Sequence, residues 1–286
     1  MLPTTERGDE VRRLLELGPE ALDREAGDRV SVLGDLDELF EQFAQAVADE
    51  IAASNDAGER TTLILPVGPV DHYPRLAELI NEREIDMADC HLFFMDEYCD
   101  HSGRVVPPDH PLSFRREMDA VFFDHLDPAL AVPDDQVVFP THENVTDLPG
   151  MIADAGGIDT CYGGIGVHGH VAFNEPEPGV ADTDPRLVYL NDYTRTINAI
   201  RAGVGGNLEG FPRKAVTVGM NQVLGADRVR LYCRNDVPGL DWANTVLRLA
   251  VLGDPGPDYP VTYLTDHDDY RVVTDERTAA RPDHVL

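Results

Sequence analysis

The sequence predicts an α/β fold with an open, mostly parallel β-sheet flanked by helices. Short apolar segments of strand length alternate along the chain with longer segments whose apolar residues recur every three or four positions. The strand-like segments are apolar at consecutive positions, which is typical of strands buried on both faces of a parallel sheet. The 286 residues, of which 42% are apolar, are enough for one large core.

The first half of the chain predicts helices and strands in alternation. A helix is predicted over residues 36–51, where the apolar positions 36, 40, 43, 47 and 51 share one face. The strand TTLILPVG ends at Gly68, and a second helix is predicted over residues 73–81. CHLFFMDEY is then predicted to form one strand that ends in the acids Asp96 and Glu97.

The second half continues the same alternation. It predicts a helix over 113–126, the strand-to-loop unit IDTCYGGIG, the strands RLVYLND, AVTVGM and DRVRLYC, and a helix over 239–252, before PVTYLTDH and YRVVTDE close the chain. A charged amphipathic helix over residues 5–16 is expected to be peripheral. We therefore expect a helical extension over residues 1–28 and a single domain over residues 29–286, since no repeat or linker divides the rest.

Three predicted strands end in polar or glycine-rich loops. These loops carry Gly68, the pair Asp96 and Glu97, and the segment 163–175. In an open parallel sheet, ligands bind beyond the carboxyl ends of the strands. We therefore expect these loops, although distant in sequence, to form one site.

The charge indicates the kind of environment that the protein tolerates. The chain has 53 acidic and 23 basic residues, a formal net charge of −30, and Lys214 as its only lysine. The acids are spread along the chain, whereas an acidic regulator usually concentrates them in runs. Because the Debye length falls to about 3 Å in molar salt, we expect adaptation to a very salty cytoplasm. The same charge argues against a nucleic-acid partner.

Location and redox state follow from two further observations. The N-terminal segment is charged, and no apolar run approaches the roughly 20 residues of a membrane-spanning helix, so we expect a cytoplasmic protein that does not contact membranes. The four cysteines form no CxxC pair and are expected to be reduced.

The segment GGIGVHGHVAFNEPEPG, residues 163–179, carries the most specific chemistry. Its Gly164-x-Gly166-x-x-Gly169 pattern suggests a dinucleotide loop, but that loop must open a helix, and Pro176 and Pro178 prevent one of useful length. We therefore predict no cofactor.

Two interpretations of this segment stay open on the residues alone. His168, His170 and Glu175 have a spacing that suits a divalent transition metal. Alternatively, Glu175 orients His170, which then acts as an acid or base near neutral pH. In that case the glycines let a substrate approach the backbone closely.

Five ordered blocks resemble the glucosamine-6-phosphate deaminase family, which is related more distantly to the 6-phosphogluconolactonases. The blocks are GGIGVHGHVAFNEP, FFMDEY, HPLSFRREM followed by FFDHLD, YTRTIN, and AVTVGMNQVLGADRV. The resemblance covers about residues 30–275. The resemblance implies a Rossmann-like open sheet and an aldose–ketose isomerase that also releases ammonia from an amino sugar. It also allows a homo-oligomer, although the sequence identifies no interface.

The resemblance implies roles for individual residues. Asp96 moves a proton between C1 and C2 of the open-chain sugar, and His170, assisted by Glu175, opens the sugar ring. Arg195 matches an arginine that contacts phosphate. We expect the substrate to be bound by Gly68, Glu97, Gly166, Gly169, Arg195 and Arg234.

The chain departs from the family pattern at three places. His168 replaces the aspartate of the ring-opening relay, and we keep it among the catalytic candidates. The phosphate loop is replaced by LPVGPVDHY, which carries Asp71 and lacks threonine. No lysine follows the strand RVRLYC, where Arg234 is the available substitute.

We therefore expect an enzyme that acts by acid–base chemistry on a small-molecule sugar or sugar phosphate. Two alternatives stay open: a metal-dependent sugar isomerase or hydrolase that uses His168 and His170, and a sugar-binding protein whose phosphate site has degenerated.

Overall fold

Ten α-helices lie within residues 5–285, the part of the chain that the computed structural model describes. They are α1 (Glu6–Leu15), α2 (Pro19–Ala26), α3 (Leu36–Ala57), α4 (Tyr73–Glu82), α5 (Phe114–Val121), α6 (Leu148–Asp154), α7 (Asp192–Arg201), α8 (Met220–Leu224), α9 (Ala243–Leu252) and α10 (Glu276–Ala279). None of the helices in this part of the chain combines the length and apolar character needed to cross a membrane.

Ten strands form two sheets within the same residues. They are β1 (Val30–Leu33), β2 (Thr61–Leu65), β3 (Cys90–Phe94), β4 (Asp96–Cys99), β5 (Val137–Val138), β6 (Thr160–Gly164), β7 (Arg186–Tyr189), β8 (Lys214–Thr217), β9 (Arg228–Cys233) and β10 (Tyr270–Asp275). The larger sheet has seven strands in the order β1-β10-β9-β6-β2-β3-β5, and every neighbouring pair in it is parallel.

The central strand β2 shows why the sheet is buried on both sides. All five of its residues are buried. Leu63 and Leu65 pack into a core cluster with α3 and α4, whereas Ile64 packs into a second cluster with α6, α8 and α9. Strands covered on both faces are continuously apolar, as the sequence showed. The predicted α/β class with a mostly parallel sheet is confirmed.

A second, antiparallel sheet lies beyond the large one, with the strand order β4-β8-β7. A third apolar cluster links this small sheet to α7 and includes Tyr98, Phe173, Leu190, Ala199 and Phe211. The prediction that CHLFFMDEY forms one strand is wrong. The Met95 N–H donates to Leu65 of the large sheet, while the Met95 carbonyl accepts from Val218 beside the small sheet, so the chain changes sheets at this residue.

Several other element boundaries differ from the predictions. The helix expected over 113–126 ends at Val121 and is followed by a 3₁₀ turn, Phe123–His125. The helix expected over 239–252 begins at Ala243, because the side chain of Asn235 accepts the Ala243 N–H 2.9 Å away. PVTYLTDH contains the 3₁₀ helix Pro260–Asp266.

Candidate active site

A cavity of about 720 Å³ lies beside the carboxyl ends of the parallel strands. Gly68 follows β2, Asp96 follows β3, and His170 lies in the loop after β6, and all three line this cavity. Two of these loops touch, since a Cβ added at Gly164 would lie 2.8 Å from the Gly68 carbonyl oxygen. The structure thus brings together the three strand ends that the sequence predicted to meet.

Five of the ten predicted site residues line the cavity, namely Gly68, Asp96, Gly166, His170 and Arg234. The other five, Glu97, His168, Gly169, Glu175 and Arg195, lie around it and make contacts within the protein.

A tight turn places the imidazole of His170. The Gly166 N–H donates to the His170 carbonyl at 2.9 Å, and the Gly169 N–H donates to the Gly166 carbonyl at 2.8 Å. Gly169 has a φ of 66°, a left-handed conformation that favours glycine. A Cβ at Gly166 would lie 1.9 Å from His170 Nε2, so only glycine lets the ring rest on this backbone. No helix follows the turn, as the two prolines predicted.

Asp96 is a buried carboxyl group at the start of β4. Only 7% of the residue is exposed. Burial raises its pKa well above the ordinary value, and the neighbouring charge of Glu97 raises it further. Asp96 therefore holds its proton at pH values where an exposed aspartate has lost it. A carboxyl group with a raised pKa is suited to exchange protons with a substrate.

The pKa of His170 is shifted in the opposite direction from that of Asp96. Burial lowers its pKa to about 3, with contributions from His168 and from the positive charge of Arg201. The imidazole is therefore neutral near neutral pH, with one ring nitrogen free to accept a proton. The cavity thus presents a protonated carboxyl group and a neutral imidazole.

Glu175 reaches His170 through a third side chain. Thr194 Oγ1 lies 3.5 Å from His170 Nδ1. Burial raises the pKa of Glu175, and the nearby Thr194 side chain is the largest opposing influence, while Glu175 Oε1 has no hydrogen-bond partner within the described residues. The Asn191 N–H also donates to Glu175 Oε2 at 2.7 Å. Thr194 and Asn191 belong to α7 and its N-cap, so this helix connects the glutamate to the histidine.

His168 lies beside α7 rather than in the cavity. Its Nδ1 lies 3.3 Å from Asn191 Nδ2, and its ring meets the Tyr193 ring edge-on at 4.7 Å between centroids. Within residues 5–285, no group of three or more His, Cys, Asp or Glu side chains is arranged to hold a metal ion. The spacing of His168, His170 and Glu175 thus does not form a three-residue metal site among the described residues.

Glu97 has all of its contacts inside the protein. Its carboxylate accepts hydrogen bonds at 3.0 Å from the Ser113 hydroxyl and from the Phe114 and Arg115 N–H groups, at the start of α5. A negative charge at a helix N-terminus satisfies free N–H groups and stabilises the helix dipole. Its influence on Asp96 is therefore electrostatic.

The arginines of α7 face different surroundings. Arg195 pairs with Asp192 at 3.1 Å and donates to the Leu208 carbonyl at 2.6 Å, outside the cavity lining. Arg201, at the end of the same helix, lines the cavity. Six residues of an α-helix correspond to a rotation of about 240° around the axis. The two side chains therefore cannot point the same way.

Arg201 and Arg234 share one carboxylate. Asp236 Oδ1 lies 2.8 Å from Arg201, and Asp236 Oδ2 lies 2.9 Å from Arg234. Burial alone would raise the pKa of Asp236, but the two guanidinium charges outweigh it, and the pKa is lowered. The guanidinium groups also lie over aromatic rings, Arg201 over Trp242 and Arg234 over Phe40.

Three of these residues, Thr194, Arg201 and Asp236, were absent from the sequence predictions. Arg234 and Asp236 are two apart, a spacing that places side chains on one side of an extended segment. Thr194 stands inside the YTRTIN block next to Arg195. The sequence thus held a signal for Thr194 and Asp236. The position of Arg201 at the cavity could not be predicted, because it depends on the orientation of α7.

Comparisons of the sequence with known proteins consistently match glucosamine-6-phosphate deaminases. The chain is 34% identical over 199 residues to glucosamine-6-phosphate deaminase of Caenorhabditis elegans, covering 68% of this chain and 72% of that protein. It is 33% identical over 215 residues to the enzyme of the same name from Phocaeicola vulgatus, covering 72% and 77%. A Thermoanaerobacter sp. protein of that name is 28% identical over 249 residues, covering 84% and 91%. No family model matches the chain.

Solved structures give the same fold. A monomeric glucosamine-6-phosphate deaminase superposes with a TM-score of 0.76 at 24% identity, covering 88% of this chain and 98% of that one. A 6-phosphogluconolactonase from Thermotoga maritima superposes with a TM-score of 0.58 at 17% identity, covering 86% and 98%. At these identities the likeness concerns the architecture alone.

Proposed function

The chain belongs to the glucosamine-6-phosphate deaminase family, and from that premise we propose that it converts a 2-amino-aldose phosphate and water into the 2-ketose phosphate and ammonia. The observation that carries this proposal is the shared cavity of Asp96 and His170, which brings two oppositely perturbed acid–base groups to one substrate.

His170 opens the sugar ring in this proposal. The neutral imidazole takes the proton of the C1 hydroxyl and then delivers that proton to the ring oxygen O5 as the C1–O5 bond breaks. The positive charge that develops on the imidazole is stabilised by Glu175, through the Thr194 hydroxyl that lies near both groups. His168, whose pKa is lowered by burial, stands near the relay as a neutral neighbour and supplies no anion.

Asp96 then moves a proton between carbon atoms. As a carboxylate it removes the proton from C2 of the open chain, which gives an enolamine. The same proton is returned to C1, which leaves an imine at C2. Water adds to this imine, and ammonia leaves as the ketose forms. Burial favours the protonated form of Asp96, and binding of an amino group that carries a proton shifts Asp96 towards the ionised form that the reaction needs.

A direct test is incubation with glucosamine 6-phosphate in molar KCl, with ammonia and ketose measured together. We expect equal amounts of the two products. Ammonia without ketose, or no turnover while the sugar binds as tightly to Asp96→Asn as to wild type, would contradict the proposal. Activity that disappears with EDTA and returns with a divalent metal would favour the metal-dependent alternative.

We also propose that the protein works in a salty cytoplasm. The acidic composition supports this, as do four cysteines that are all buried and free. We expect a cooperative circular-dichroism melt in 2 M KCl and loss of the folded signal after dialysis to about 20 mM salt, because screening of the self-repulsion is removed. The same melting temperature in both solutions would contradict salt adaptation.

A further inference from the structure

A second cavity, of about 530 Å³, lies on the face of the large sheet that α3 covers. Residues of β1, β10, β9 and β6 form its strand side, and α2, the turn Gly27–Arg29 and α3 form its helix side. Among the described residues, none lines both this cavity and the one that holds Asp96. Its volume is in the range of small-molecule sites, so it is a separate candidate binding site.

Two arginines stand side by side on the strand side of this second cavity. Arg271 of β10 is the register partner of Arg230 of β9, and neighbouring strands are about 4.8 Å apart. Arg230 pairs with Asp269 at 2.8 Å. The guanidinium group of Arg271 forms no ion pair or hydrogen bond within the described residues. A sheet face beneath a helix is normally apolar, so packing does not explain an unpaired charge at this position.

Two unpaired carboxylates line the same cavity from its helix side. Asp23 lies on α2 and Asp28 in the turn before β1, and neither carboxylate pairs with Arg271 or with any other described residue. All three side chains are exposed, so a solute can reach them. Opposite charges that line one cavity without pairing are complementary to a ligand that carries both signs.

The charge balance of the lining restricts this ligand further. The lining holds two arginines and two aspartates, so its formal charge is zero, and Asp269 adds a negative charge beside Arg230. A dianion such as phosphate is therefore disfavoured, whereas a single carboxylate matches the planar fork of one guanidinium group. An ammonium group on the same molecule would find two carboxylates within the cavity.

We propose that this second cavity binds a small zwitterion of the α-amino-acid class, with the ligand carboxylate on Arg271 and its ammonium group between Asp23 and Asp28. Ser31 and Gln42 also line the cavity, and the Ser31 hydroxyl and the Gln42 NH₂ group have no hydrogen-bond partner within the described residues. These two groups suit a polar side chain on the ligand. The proposal does not depend on the deaminase reaction, because no group of the first cavity takes part.

L-Glutamine, which carries both charged groups, and acetate, which carries only the carboxylate, are the two probes. Each is titrated with protein in 2 M KCl, and binding is followed by the NMR signals of the probe. We expect wild type to bind glutamine at least about five-fold more tightly than acetate, because the ammonium group adds a charge-assisted contact. Arg271→Gln should weaken the binding of both probes about five-fold or more.

The double variant Asp23→Asn, Asp28→Asn separates recognition from damage. Glutamine should bind about 5- to 20-fold more weakly, whereas acetate should bind about two-fold more tightly, because the repulsion from two carboxylates is removed. Arg213→Gln is the matched control, since Arg213 is an exposed arginine that pairs with Glu209, and both affinities should stay within about two-fold of wild type. A double variant that changes both affinities in the same direction, or wild type that binds glutamine no more tightly than acetate, would overturn the proposal.

Discussion

The cavity contains two groups of ionisable side chains, and their surroundings have opposite effects on their charge. Asp96 and His170 are buried without a charged partner, and burial drives both toward their neutral forms. At the other end of the cavity, Arg201 and Arg234 each lie within 2.9 Å of Asp236, and these two pairings keep the Asp236 carboxylate ionised. Within one cavity, burial thus adjusts the proton affinity of Asp96 and His170. Ion pairing keeps the second group charged.

This difference follows from what each group has to do. A group that exchanges protons needs two accessible protonation states, and burial without a partner brings them closer in free energy. A group that binds an anion must stay charged, and a buried charge is stable only when it is paired. The two halves of the cavity should therefore respond differently to substitution.

Asp96→Asn should have the largest effect, because it removes the proton acceptor of the carbon chemistry. We expect kcat to fall about 10²- to 10⁴-fold while binding of inorganic phosphate to the protein is unchanged. A steady-state assay for ammonia, together with phosphate titration of the same preparation, separates the two. Loss of phosphate affinity equal to the loss of kcat would mean that the two groups do not act independently.

The same substitution should also change stability, with a defined pH dependence. The folded-state pKa of Asp96 lies above its unfolded value, so wild-type protein loses stability as the pH rises from about 4 through the raised pKa. Asn has no proton to lose, so the melting temperature of Asp96→Asn should exceed that of wild type increasingly across this window. Equal melting temperatures at every pH would show that the buried carboxyl carries no such cost.

Gly166→Ala should come next in size. The added methyl group would overlap His170 Nε2 and force the ring to move. A displacement of about 1 Å at a catalytic group reduces the rate by up to about 100-fold. Gly150→Ala is the matched control, since a Cβ there meets nothing within 4 Å and the residue lies inside α6. Unchanged kcat in Gly166→Ala would remove His170 from the mechanism.

Thr194→Val should have the smallest effect on rate, about 10-fold, because it removes one hydroxyl and keeps the shape. The loss of its hydrogen bond should raise the pKa of Glu175, so the acid limb of the kcat/KM profile should move to higher pH. Thr194→Ser keeps the hydroxyl and should restore both values. A Val variant with the wild-type profile would show that Thr194 only fills space.

The sequence supplied the architecture and the chemical centre. Continuous apolar strands such as β2 predicted the parallel sheet, and the ends of those strands predicted where Asp96 and His170 would meet. Gly166 was noted for close approach, although the sequence did not indicate that His170 itself is the neighbour.

The features that were not predicted depend on three-dimensional contacts, which the spacing of residues along the sequence does not encode. The change of sheet at Met95 arises from hydrogen bonds to residues far along the chain. That Arg201 rather than Arg195 lines the cavity depends on how α7 is rotated about its axis, which a motif match in YTRTIN does not specify. The helix α7 was not predicted from the motif YTRTIN, and neither were the short helices α6, α8 and α10, with seven, five and four residues.

Transfer of the C2 proton is the measurement that tests the central claim most directly. The sugar phosphate, labelled with deuterium at C2, is converted in ordinary water at high salt, and the ketose product is examined by NMR at C1. Because Asp96 is buried, we expect the transferred proton to exchange little with solvent, and we predict deuterium at C1 in the wild-type product and none when Asp96→Asn is used. Product from wild type that carries no deuterium at C1, formed as fast by Asp96→Asn, would contradict the account.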